Sequence, residues 1–90
     1  MVKQKGEPSS IQQDDQSLQR ILILYNDDVN TFDFVIDSLI EICKHEPEQA
    51  EQCAMITHFK GKCDIKQGGY QVMKQMYEGM SIRGLTVSIE

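Results

Sequence analysis

The sequence predicts a single small α+β domain, with three helices packed on one face of a three-stranded antiparallel sheet in the order β-α-α-β-α-β. Three observations predict it. A β-branched and aromatic run, RILILY, stops at the turn-forming residues Asn26, Asp27 and Asp28. Apolar residues then recur at helical spacing in three segments, and the chain closes on Leu85, Val87 and Ile89 alternating with Thr86 and Ser88. That alternation is the period-two signature of a half-buried strand.

Arg20 to Tyr25 reads as the first strand, apolar without alternation and therefore covered on both faces. Asn30 is placed to cap the helix that follows, beginning at Thr31, with Asp33 putting negative charge beside the first-turn amides. Phe32, Val35, Ile36, Leu39, Ile40 and Cys43 form its apolar stripe, and the same spacing points Phe34 toward the polar side. Pro47 suits the first turn of a second helix, because its missing N–H would have no partner there. That helix runs to about Phe59 and carries a stripe of small residues, Ala50, Cys53, Ala54 and Thr57, with Gly61 placed to end it in a left-handed conformation.

Cys63 to Lys66 reads as a short, weak strand, and Gly68-Gly69 as a connector to a methionine-rich third helix. Tyr70, Met73, Met76, Tyr77 and Met80 form the stripe of that helix, which reads as core with methionine as an adaptable filler. The opening stretch differs from all of this. Residues 1–19 hold only Met1, Val2, Ile11 and Leu18 as large apolar side chains, too few to offset the entropy of ordering, so they read as a flexible extension. The core domain is expected over residues 20–90.

A chain of 90 residues has room for one core and no second. Its net charge of −5 argues against nucleic acid, where basic contacts to phosphate carry most of the affinity. No apolar run approaches the roughly 20 residues of a membrane span, and the N-terminus lacks the apolar centre of a signal peptide. A soluble, cytoplasmic monomer is expected. Three cysteines without CxxC spacing, Cys43, Cys53 and Cys63, fit a reducing compartment and buried thiols better than a zinc site shared with His45 and His58. No cofactor is expected.

Charge is segregated along the chain. Asp27 through Glu51 carries eight acids and one lysine, whereas His58 through Arg83 carries five bases and two acids. The bland reading is two solvated surfaces, and the sharper one is an acidic site that steers a cationic ligand. Phosphate-binding loops, zinc-protease, calcium-loop and hydrolase motifs are absent, so no enzymatic signal stands out. Asn26-Asp27-Asp28 remains the candidate, on an irregular segment where a strand fixes the bases of polar side chains.

Ile21 to Val35 (ILILYNDDVNTFDFV), followed downstream by Thr57-His58-Phe59-Lys60-Gly61-Lys62, resembles the ClpS family of Clp protease adaptors. The resemblance covers roughly residues 20–90 and implies the same element order. It implies recognition of N-degrons, proteins with a free, large hydrophobic N-terminal residue (Leu, Phe, Tyr or Trp), and their delivery to a Clp AAA+ unfoldase, ClpA or a relative. By position it implies that Asn26 and His58 hydrogen-bond the substrate α-amino group, with Asp27 assisting through charge or water. Asp28 and Asn30 would flank the peptide, while Phe32, Val35, Ala54, Thr57 and Leu85 would line the side-chain pocket.

The chemistry is coherent on its own terms. An α-ammonium offers three N–H donors and a positive charge, and an amide oxygen, a neutral imidazole nitrogen and a carboxylate are the acceptors it needs. The chain also departs from the family's usual pattern. Asn30, Thr31 and Phe32 replace a common Thr-Pro-Met, Ala54 replaces a gatekeeping Met, and Thr57 replaces a Val. Gln71 and Met76 stand where many members have an acid and a lysine implicated in docking the unfoldase, and the segment before the last strand is shorter. Two other readings compete: an interaction domain of the same fold, similar to the C-terminal domain of ribosomal protein L7/L12 and lacking an amine pocket, and a small acid–base enzyme using Asp27 and His58.

Overall fold

β1 (Arg20–Tyr25) is the central strand of the sheet, which explains why its apolar run lacks alternation. The computed structural model describes residues 18–90, so most of the expected N-terminal extension lies outside the described residues. β1 is followed by α1 (Phe32–Cys43), α2 (Pro47–Lys60), β2 (Lys62–Gly68), α3 (Tyr70–Ile82) and β3 (Thr86–Ile89). β2 and β3 flank β1, both antiparallel to it, giving the spatial order β2-β1-β3. This is the β-α-α-β-α-β domain expected from the sequence.

Leu22, Ile23 and Leu24 are all buried, so β1 is covered on both faces as expected. Leu22 and Leu24 join Ile65 of β2 and Val87 of β3 in one core with Leu39, Cys43, Ala50, Cys53, Met73 and Met80 from the helices. The opposite face is bridged in part by the Tyr25 hydroxyl, which hydrogen-bonds the Ser88 hydroxyl across the β1–β3 pair at 2.9 Å. Reciprocal backbone bonds between Ile21 and Glu90, at 2.7 and 2.8 Å, fasten the far end of that pair.

α1 departs from expectation at two points. Its cap is Thr31, whose hydroxyl accepts the Phe34 N–H at 3.1 Å, and Asn30 is not the cap. The helix starts one residue later than the sequence suggests, and the Asn30 side chain instead donates through Nδ2 to Asp27 and Gly84. Phe34 does not face solvent: it is half-buried and packs against the core. Ser38, unremarked in the apolar pattern, is fully buried, and its hydroxyl accepts from Arg83 Nη1 at 3.2 Å. The same guanidinium pairs with Glu41, so the acidic and basic halves of the chain are joined at this point.

α2 follows its signals. Pro47 occupies the first turn, Gly61 ends the helix at φ 93°, and Ala50, Cys53, Ala54 and Thr57 are its buried residues. A left-handed φ is costly for a side chain bearing Cβ, which is why glycine stands there. β2 is longer than its apolar content suggests, and a bulge between its pairs with Leu22 and Ile23 leaves Ile65 as the extra residue. In α3, Met73 and Met80 are fully buried and Met76 packs beside them, whereas Tyr70 and Tyr77 are largely exposed. Gly79 lies within α3, where a Cβ would come within 3.0 Å of Ile42.

Candidate functional site

A cavity of about 420 Å³ opens where the C-terminal end of β1 meets α1, the last turns of α2 and the residue before β3. Its position follows from the strand order. The central strand ends at Tyr25, and the chain must turn there over Asn26 to Thr31 before α1 can pack back on the sheet. Asn26 is drawn to the end of α2 by its backbone N–H, which donates to the Gly61 carbonyl at 2.9 Å. That bond extends the β1–β2 ladder one step beyond the Tyr25–Lys62 pair, and together they bring the Asn-Asp-Asp segment and the His-Phe-Lys-Gly segment to one place.

Asp27 organises the loop. Its Oδ1 accepts the Val29 and Asn30 backbone N–H groups, both at 2.8 Å, and its Oδ2 accepts the Asn30 side-chain amide at 2.9 Å. Burial pushes the carboxyl pKa up, yet these three donors outweigh it and hold Asp27 below its ordinary value. Asp27 is therefore a charged carboxylate at neutral pH, facing a cavity that also receives Asp28. Asn30 Nδ2 makes a second bond, to the Gly84 carbonyl at 3.1 Å.

The floor is apolar. Phe32 and Val35 come from α1, Ala54 and Thr57 from α2, and Leu85 from the turn before β3. Thr57 is buried but satisfied, its hydroxyl donating to the Cys53 carbonyl at 2.8 Å, so it presents its methyl as wall. Phe32 is 44% exposed although it lies on the apolar stripe of α1 and lines the cavity. His58 lines the mouth and is exposed, its ring meeting Phe59 edge-on at 5.0 Å.

All ten residues singled out from the sequence line this one cavity: Asn26, Asp27, Asp28, Asn30, Phe32, Val35, Ala54, Thr57, His58 and Leu85. Leu24 and Tyr25 line it as well, and sequence reasoning misses both. The available signal is their place at the end of the strand that feeds the loop, where the last side chains of a central strand border whatever opens at its tip.

Among the described residues, no group of three or more His, Cys, Asp or Glu side chains is placed to hold a metal ion. Cys43, Cys53 and Cys63 are free thiols. Burial raises Cys43 to about 11 and Cys63 to about 12, and the neighbouring Cys53 adds to both, so both stay protonated at neutral pH. His45 is far from solvent and donates through Nε2 to the Ile65 carbonyl at 2.7 Å. Among the described residues, no helix is long and apolar enough to cross a membrane.

On α3, Gln71 is exposed and Met76 is half-buried against the core. Met76 therefore serves packing at a position where the family resemblance places a surface lysine.

Comparison with known proteins gives two findings and one blank. No curated protein matches the chain. Among solved structures, the fold is similar to that of Agrobacterium tumefaciens ClpS2 bound to L-phenylalaninamide, with a TM-score of 0.73 at 17% identity over 80% of this chain and 94% of that one. The model of the family described as ATP-dependent Clp protease adaptor protein ClpS matches residues 16–87. Since that match spans both segments that meet at the cavity and nearly all of the folded domain, the chain belongs to the ClpS family of adaptors.

Proposed function

We propose that this cavity binds the first residue of N-degron proteins, those with a free Leu, Phe, Tyr or Trp at the N-terminus, and that the chain delivers them to a Clp AAA+ unfoldase, ClpA or a relative. The carrying observation is the division of one cavity's lining between polar and acidic side chains that reach solvent, Asn26, Asp27, Asp28 and His58, and buried wall residues, Ala54, Thr57 and Leu85. An N-terminal residue has the matching division, an α-ammonium beside an apolar side chain. L-phenylalaninamide, the ligand in the Agrobacterium ClpS2 structure, has both groups.

In this reading Asn26 Oδ1 and a neutral His58 nitrogen accept N–H bonds from the α-ammonium, and the Asp27 carboxylate balances its charge. Asp28 and Asn30 flank the peptide beyond its first residue. Phe32, Val35, Ala54, Thr57 and Leu85 enclose the side chain. Ala54 and Thr57 are small, which leaves the volume to be bounded by Phe32, so a flat aromatic or a branched Leu fits against that ring. The work is binding and hand-over, with no bond made or broken. The surface that meets the unfoldase lies on α3 around Gln71, and the free thiols suit a monomer acting in the reducing cytoplasm.

Fluorescence anisotropy of labelled peptides beginning Leu, Phe, Tyr, Trp, Ile and acetyl-Leu tests the proposal. Tight binding of the free large hydrophobic N-termini, with acetyl-Leu weaker by at least about tenfold, supports it, since acetylation removes the charge and leaves acceptors covered by the peptide without donors. Failure to bind any free N-terminus overturns it and favours an interaction domain of the same fold.

A further inference from the structure

One side chain joins the two ends of the cavity. Asn30 in the loop after β1 and Gly84 in the turn before β3 are 54 positions apart in sequence. An amide nitrogen carries two hydrogens. Asn30 donates one to Asp27 Oδ2 at 2.9 Å and the other to the Gly84 carbonyl at 3.1 Å. Both are thus committed within the protein, and a bound peptide meets at most the Asn30 carbonyl oxygen.

The Gly84 carbonyl matters because it belongs to the same planar peptide unit as the Leu85 N–H. That N–H donates to the Met80 carbonyl at 3.1 Å. The plane is therefore held on one side by Asn30 and on the other by the end of α3. Gly84 itself sits at φ 86°, where a Cβ would meet nothing within 4 Å, and its own N–H donates to the Ser81 carbonyl at 2.9 Å, so Asn30 is the side chain that ties this backbone turn to the loop after β1. Leu85, carried by this plane, is 5% exposed and forms part of the apolar wall.

We propose that Asn30 is a positioning residue that couples amine recognition to side-chain selection, holding the Asp27 carboxylate at one end of the cavity and the Leu85 wall at the other. The inference rests on the N-degron reading of the cavity. Threonine, common at this position in the family pattern, has a single hydroxyl hydrogen and cannot serve both acceptors at once. Asn30 thus makes a connection that its usual counterpart cannot make in full.

The test uses Asn30→Ala and Asn30→Thr in the full chain. Peptide anisotropy gives the ratio of affinities for Leu- and Trp-initiated peptides. NMR of the free protein follows the Leu85 methyls and the titration of the Asp27 carboxyl. The expected result is a change of about three- to tenfold in the Leu-to-Trp ratio, the scale of one or two lost hydrogen bonds. Shifted Leu85 methyl signals and an Asp27 titration moved upward should accompany it, with Asn30→Thr intermediate. Equal weakening toward every peptide, with Leu85 signals unmoved, would overturn it. Wild-type protein that binds no free N-terminus would sink the N-degron reading instead, and the NMR arm would still decide whether Asn30 links Asp27 to Leu85.

Discussion

His45 stands just before α2 and His58 in its last turn, yet the two ends of that helix put them in opposite situations. His45 is 3% exposed, with Nε2 donating to the carbonyl of Ile65, the extra residue of the β2 bulge. The bulge disrupts the local ladder, and the imidazole supplies that carbonyl with a donor. Its Nδ1 has no partner. His58 is exposed at the mouth of the cavity, with its ring available to a ligand. One imidazole stabilises a corner of the fold and the other faces outward, a difference set entirely by what the strands bring next to each end of α2.

Four measurements break or sharpen this contrast. The largest effect is expected from His45→Ala, which opens a cavity and leaves the Ile65 carbonyl without its donor. Stability should fall by about 2–4 kcal/mol in chemical denaturation, while the folded fraction keeps its peptide affinity. His58→Ala should do the reverse, weakening peptide binding by about 1–3 kcal/mol and leaving the unfolding midpoint within about 0.5 kcal/mol of wild type. If both variants lose stability and binding together, the two ends of α2 do not have separate duties.

Acid gives the third test, smaller in size. Burial holds the His45 imidazole below its ordinary value; the bond to Ile65 opposes this, and nearby Lys66 adds to the lowering. The unfolded chain therefore binds the proton first as pH falls. Stability is full above the ordinary value of 6.5 and is lost as pH drops through it toward the lower folded value. Thermal melts across that range should show the loss, and it should shrink in His45→Gln, which does not titrate.

The smallest effect is expected at the residue that ends α2. Gly61 holds φ 93°, and a Cβ added there would meet nothing within 4 Å, so Gly61→Ala meets strain without a clash. A cost of about 1 kcal/mol is expected, read from the denaturation midpoint. Because the Gly61 carbonyl accepts the Asn26 N–H, the variant also tests how firmly the end of α2 holds the loop.

Much of the fold is legible in the sequence because neighbouring residues decide it. The unbroken apolar run of β1, the Pro47 and Gly61 boundaries of α2 and the alternation through β3 each reflect a local period or backbone preference, and the elements stand where those signals put them. The misreadings share a cause in distant contacts. Asn30 has the chemistry of a helix cap, but its side chain donates through Nδ2 to Asp27 and to distant Gly84, and Thr31 caps α1. Phe34 has the spacing of a surface residue, but it packs against the core cluster. The two histidines look alike in sequence, since residue type carries no record of burial.

The candidate site divides in the same way. Its polar residues are legible as turn-forming types at a strand end, and the family resemblance joins them to His58 and the apolar lining. By itself the sequence determined the elements, their order and the chemical types available at the tip of β1, because these depend on periodicity, caps and side-chain inventory. Only the tertiary structure decided that Asn26 meets Gly61, that Asn30 reaches Gly84, and that His45 is buried where His58 is open. Those pairings join residues far apart in the chain, and they form only when β1 takes the central place in the sheet.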